Sequence, residues 1–203
     1  MDRDRLTAFP DGVLAVIITI MVLEMHPPHG AGLRDLVGLA PVFLSYVLSF
    51  IYVAIYWNNH HHFFQLVKTV DGAILWANLN LLFWLSMVPF ATAWMGENHF
   101  AAVPTALYGV VLLMSSIAFY GMQRVIIRQQ GPDSPLHRAI GRDIKGKLSP
   151  ILYLAGIVAA FFNPAVADLF YVGVALMWLI PDRRVETVVS AGPANRGGPP
   201  RNR

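Results

Sequence analysis

The sequence predicts an all-α, polytopic membrane protein with six transmembrane helices, and three observations carry that prediction. Of its 203 residues, 56% are hydrophobic and only 13% charged, whereas a soluble domain carries about 25% charge. Apolar runs of roughly 17–25 residues, the length that crosses a bilayer, occur near 8–25, 39–63, 72–95, 103–123, 148–162 and 165–181. With a cytoplasmic N-terminus and six crossings, fourteen of the fifteen Lys and Arg residues fall on the cytoplasmic side, as the positive-inside rule requires.

The first run, "RLTAFPDGVLAVIITIMVLEMHPP" (Arg5 to Pro28), carries Asp11 within its first turns. A charge costs roughly 2.5–3.5 kcal/mol at the centre of a membrane helix and less near an end. Asp11 is therefore expected to be buried against neighbours and compensated, with Arg5, a histidine of the second helix or an asparagine of the third as candidate partners. Stepping about 100° per residue from Val16 places Ile20 near +40° and Leu23 near −20°. These three form one stripe, with Thr19 on its shoulder near −60° and Asp11 on the opposite side, about 140° away. Every transmembrane helix has such stripes, so periodicity alone does not make this one a pore. The run is too long for a signal-peptide core, and "EMHPP" lacks small residues for cleavage.

The second run ends in "NNHHHFF" (Asn58 to Phe64). Adjacent residues on a helix diverge by about 100°, so His60, His61 and His62 cannot all face one metal ion. In the third run, Pro89 is expected to kink the helix, while Asn78, Asn80, Ser86 and Thr92, like Ser45 and Ser49 before them, suit contacts between helices. The fifth and sixth runs are joined by "FNPAVAD", where Asn163-Pro164 signals a tight turn. They read as two crossings, with a re-entrant pair as the alternative. The tryptophans mostly fall near helix ends, as an aromatic belt requires.

The cytoplasmic segments collect Arg3, Arg5, Lys68, Arg124, Arg128, Arg138, Arg142, Lys145 and Lys147, then Arg183, Arg184, Arg196, Arg201 and Arg203, leaving Arg34 outside. The net charge of +3 thus reports topology rather than a nucleic-acid partner. Residues 183–203, rich in Gly, Pro and Arg, read as a disordered basic cytoplasmic tail after a membrane domain over 1–182. With no cysteine in the chain, disulfides and thiolate chemistry are excluded.

Arg5, Phe9, Asp11 and Gly12 form Arg-x-x-x-Phe-x-Asp-Gly ahead of an apolar helix that contains Thr19 and ends in "VLE". This resembles the signature of the transmembrane protein 175 family of potassium channels, Arg-x-x-x-Phe-Ser-Asp at the start of the first helix. The stretches "YWNNHHHFF", "LWANLNLLFWLSMVPFATAWMG" and "WLIPD" agree with it, so that the resemblance covers about 1–182. It implies a six-helix channel subunit in the cell membrane. Four copies would surround a central pore lined by the first helices, with monovalent cations, the bilayer and other copies of the chain as partners. Potassium would be the permeant ion, with no cofactor and no enzymatic activity. Family constrictions fall seven, eleven and fourteen residues after the motif Phe, which gives Val16, Ile20 and Leu23. The family's selectivity-linked threonine corresponds to Thr19. Arg5, Phe9 and Asp11 would brace the pore helix through Trp57, His60 or His61, and Asn78.

Pro10 stands where the family has serine. Either Thr7 caps the helix and places Pro10 in the first turn, where proline is tolerated, or the helix is kinked there. No "TVGYG"-like stretch occurs, so a filter of backbone carbonyls is not expected and side chains must narrow the pore. Two alternatives remain open from the residues: a secondary, proton-coupled transporter using Asp11 and the histidines, and a metalloenzyme built on the histidines.

Overall fold

The computed structural model describes residues 3–67, 69–131, 134 and 143–179, with side chains from residue 8 onward. The apolar runs become helices: α1 (Arg3–Leu23), α2 (Leu33–Gly38), α3 (Ala40–Gln65), α4 (Gly72–Ser86), α5 (Val88–Glu97), α6 (Ala102–Gln130), α7 (Ile144–Ala160) and α8 (Pro164–Leu179). Among the described residues, three segments are long and apolar enough to cross a membrane: Ala40–Gln65, Gly72–Glu97 and Ala102–Gln130. Ala8–Leu23 and Pro164–Leu179 are apolar but shorter. The tail at 183–203, and the basic residues Lys68, Arg138 and Arg142, lie outside the described residues.

The prolines act in different ways. Pro89 is the second residue of α5, and the helix breaks just before it at Met87. A proline clashes with the carbonyl four residues back and donates no N–H, so α4 stops at Ser86 and a fresh helix starts with the proline in its first turn. Pro10 lies inside α1, which begins at Arg3. Thr7 is therefore not the N-cap that the sequence suggested, because the helix already runs a full turn before it. The Pro10 ring is buried, and this packing offsets part of the lost backbone bond. At the turn between α7 and α8, the Asn163 side chain accepts from the Ala165 N–H at 3.1 Å, which supports the tight turn read from Asn163-Pro164.

Polar side chains fasten the bundle where the sequence placed small hydroxyls. Ser49 on α3 meets Thr92 on α5 at 2.6 Å and Tyr108 on α6 at 3.0 Å. Asn80 and Ser86 are exposed instead. Tyr171 on α8 is wholly buried. Its hydroxyl donates to the Thr105 carbonyl at 3.2 Å, and its own carbonyl accepts from Tyr52 at 2.6 Å. Gly109 and Gly156 make room for its ring: a Cβ on Gly156 would stand 2.5 Å from Tyr171 Cε1. At the opposite end of α6, Asp71 caps α4 by accepting from the Ile74 N–H at 3.0 Å and also accepts from the Gln129 amide. Against this frame α1 packs on α3, α4 and α5.

Candidate functional site

The two faces of α1 have opposite fates. Pro10, Leu14, Ile17 and Met21, spaced four, three and four apart, are buried against the rest of the subunit. Val16, Ile20 and Leu23 are 56%, 39% and 71% exposed. The stripe picked out by helical angle therefore lies on a face of α1 that finds no partner within the chain. Thr19, beside it, is exposed, and its hydroxyl donates to the Ala15 carbonyl at 2.9 Å. The donor is thereby used on the helix, and the hydroxyl oxygen remains free to accept or to coordinate. Phe9 falls near +20° on the same scale and is also exposed.

The bracing residues separate into two pairs. Asp11 Oδ1 accepts from the Trp57 indole N–H at 2.9 Å, which joins α1 to α3. The Trp57 ring stacks on His61 with centroids 5.9 Å apart, and His61 Nε2 meets the Gln65 amide at 2.9 Å. His60 points the other way. It is buried, with Nε2 2.8 Å from Asn78 Oδ1 on α4, and its ring lies 4.4 Å from that of Phe64. Asp11 is exposed in the subunit, contrary to the expectation that it is buried. The reason is angular: Pro10, Leu14, Ile17 and Met21 occupy the inward face, and Asp11 projects about 90° to one side of it. Its partner is a neutral indole rather than a histidine or an asparagine; the Arg5 side chain lies outside the described residues. Phe9 faces away from both pairs.

Among the described residues, no group of three histidines or carboxylates comes together in a way that could hold a metal. Sequence reasoning missed the His61–Gln65 contact, although its spacing of four on one helix was the available signal.

Comparison with known proteins gives the family. Residues 5–89 match the family model described as "Endosomal/lysosomal potassium channel TMEM175". A protein of Chryseobacterium sp. named as a potassium channel is 56% identical over 186 residues, which cover 92% of this chain and 97% of that one. The chain belongs to the TMEM175 family. The structure titled as a lysosomal potassium-selective channel TMEM175 homolog from Chamaesiphon minutus superposes with a TM-score of 0.78 at 27% identity. That match covers 89% of this chain and 97% of the other. The human protein named "Endosomal/lysosomal proton channel TMEM175" is 23% identical over 188 residues, 87% of this chain but only 36% of the human one. With its apolar helices and this kinship, the chain is a multi-pass membrane protein.

Proposed function

We propose that this chain is the subunit of a homotetrameric, potassium-permeable cation channel whose pore is lined by α1. The observation that carries the reading is the unpartnered stripe of Val16, Ile20 and Leu23, set opposite a buried face of the same helix. A subunit with one such helix encloses no axis, so cyclic assembly is required to turn the stripe into a pore wall. The naming of the Chryseobacterium relative as a potassium channel supports potassium as the permeant ion. The α4–α5 pair counts as one crossing, giving six per subunit, and the distribution of Lys and Arg puts both termini in the cytoplasm.

In this reading, rings of Val16, Ile20 and Leu23 form an apolar constriction that conducts when wetted and closes when it dewets. Thr19 hydroxyl oxygens, beside the Ile20 ring and about one helical turn from those of Val16 and Leu23, offer polar contacts to a partly hydrated cation. Asp11 and Trp57 hold the start of the helix against α3. The bilayer and the permeant ions are the remaining partners, and no catalytic step is assigned.

The test is ion flux from protein reconstituted into vesicles, with potassium, sodium, caesium and protons compared in one preparation. Cation flux is expected with moderate preference for potassium. Ile20→Ala and Leu23→Ala should raise basal flux, and Thr19→Ala should change the potassium-to-sodium ratio more than the conductance. Flux that saturates and follows a second ion's gradient would replace the channel with a coupled carrier. Unaltered flux on widening the stripe would remove α1 from the pore.

A further inference from the structure

Four helices enclose a cavity that the pore does not use. α6 packs closely on α7, whereas α3 leans on α5 and α1 and reaches the other two through rings. Tyr52 of α3 meets Tyr153 of α7 with centroids 6.2 Å apart, and Tyr56 of α3 meets Phe119 of α6 at 6.0 Å, neither pair stacked. These rings stand around a void of about 40 Å³, whose wall is completed by Tyr120 of α6 and Trp178 of α8. The indole is fixed there by donating to Ser149 Oγ at 2.8 Å. The sequence spaces the walls for this. Tyr52, Tyr56 and Asn59 on α3, and Ser116, Tyr120 and Gln123 on α6, recur at intervals of four and three, so each set lines one face of its helix.

Three properties of the lining narrow the occupant. Of the thirteen described residues around the void, six are aromatic and only Ile55 is aliphatic, in a chain that is 56% hydrophobic. A slot for an acyl chain would be walled by Leu, Ile and Val. The one formal charge among the thirteen is negative: Asp143, which caps α7 by accepting from the Gly146 N–H at 3.0 Å. Ring faces are negative too, and Tyr120 already attracts a cation, since the Arg124 guanidinium lies 5.5 Å from its centroid. Size is the third property. The 40 Å³ is open to the centre of a water molecule; taken as a sphere it has a radius of ~2.1 Å, and water's own ~1.4 Å puts the walls ~3.5 Å from the middle. An ammonium nitrogen carrying methyl groups reaches about as far, ~1.5 Å of bond plus ~1.9 Å of methyl radius. We propose that the cavity binds a methylated ammonium group, borne by a free small cation or by a choline-type lipid headgroup, in the way aromatic cages hold quaternary ammonium. The cavity face lies about 150° around α3 from Trp57, which sets this site apart from the α1 stripe. In the orientation proposed above, Asn59, Gln123 and Asp143 mark its cytoplasmic end.

The test uses the purified full-length protein in detergent, melted in sodium, tetramethylammonium, choline or tetraethylammonium chloride at matched ionic strength. Tetramethylammonium and choline should each give a saturable rise in melting temperature of about 2–4 °C over sodium. Tetraethylammonium, one methylene longer on each arm, should give none. The uncharged counterpart of choline, 3,3-dimethylbutan-1-ol, should half-saturate only at a concentration at least tenfold higher. Ser116→Leu fills the void and should abolish the rise, while Thr19→Ala should retain it, which separates this site from the pore. If Ser116→Leu yields no folded protein, Tyr56→Leu removes one ring instead and should raise the half-saturating concentration at least tenfold. Repeating the melts in nanodiscs of phosphatidylcholine and of phosphatidylglycerol separates the two sources. A response lost in phosphatidylcholine alone names the headgroup as occupant, and one kept in both names a free cation. No rise over sodium would leave the cavity to water and overturn the site. So would an equal rise with tetraethylammonium or with the neutral alcohol, or an unchanged response in Ser116→Leu or Tyr56→Leu. None of these readouts depends on conduction, so the channel reading stands or falls separately on flux.

Discussion

Replacing Asp11 by asparagine tests the brace on α1 with almost no change in size. The structure lowers the cost that a buried ion pair would imply, about 3–5 kcal/mol when one partner is removed, because the partner is the Trp57 indole and both residues are exposed in the subunit. A hydrogen bond to a charged group contributes about 1.5–3 kcal/mol and a neutral one about 0.5–1.5. Asparagine keeps an acceptor at the same place, so Asp11→Asn should cost the difference, about 1–1.5 kcal/mol, or roughly tenfold in any equilibrium the brace biases. Trp57→Phe removes the donor and should cost about 1.5–3 kcal/mol, while the ring can still stack on His61. The assay pairs melting temperature and oligomer yield with reconstituted current for both variants and their combination. Near 200 residues, each kcal/mol moves the melting temperature by about 2–4 °C. Because the two side chains bond each other, the double variant should lose less than the sum, with coupling of about 1 kcal/mol. Strictly additive losses with wild-type current would show that the 2.9 Å contact holds nothing in place.

Three further outcomes follow from the packing. Ile17 is 3% exposed and Ile20 39%, so Ile17→Ala should cost about 2–5 kcal/mol and Ile20→Ala within about 0.5 kcal/mol of nothing in thermal melts; equal losses would mean that α1 has no outward face. Gly109→Ala would drive a Cβ into the Tyr171 hydroxyl and to 2.7 Å from its Cζ and 2.8 Å from Ile157 Cγ1, an overpacking that costs about 1–3 kcal/mol. Adding Tyr171→Phe should recover part of the lost melting temperature, and no recovery would mean that the hydroxyl is not the obstacle. The Gln129 amide, and after it the Ile74 N–H, hold the Asp71 carboxyl below its ordinary value. A depressed carboxyl stabilises the fold above its unfolded pKa and loses that contribution as pH falls through the folded one. Protection of the amides at the start of α4, with exchange corrected for its intrinsic pH dependence, should therefore fall below about pH 4 and stay constant near neutrality; Asp71→Asn should remove the acid dependence, and protection that ignores pH would refute the tie.

Much of the fold was legible because apolar length declares a helix: helices occupy all six runs, the third divided into α4 and α5, and among the described residues three segments are long and apolar enough to cross a membrane. The outward stripe was legible as an angle, since Val16, Ile20 and Leu23 line up whatever surrounds them. Its meaning depended on the complementary face, and only packing shows that Leu14, Ile17 and Met21 are the residues turned inward. The partner of Asp11 was not legible from its charge, which pointed to Arg5, a histidine or an asparagine; only the family resemblance named Trp57, which lies on a different helix, 46 residues away. The Thr7 cap, one of two readings offered for Pro10, drew on the well-known place of a lone proline in a first turn, whereas the burial of the Pro10 ring is a tertiary fact. Gly109 and Gly156 carried no sign of which ring they would admit.

The one-sided support of α1 has a mechanical meaning. The Trp57 bond pins the helix at Asp11, near its start, while Leu23 lies twelve residues further on with an exposed side chain. At 1.5 Å per residue that span is a lever of about 18 Å. A tilt of only ~5° about Asp11, with the buried Ile17 and Met21 sliding on the frame, would sweep the far tip through roughly 1.5 Å, by the same helical rise. In the tetramer proposed above, that travel would be multiplied across the axis, so that a small rearrangement around one indole would become a change in bore at the opposite end of the helix.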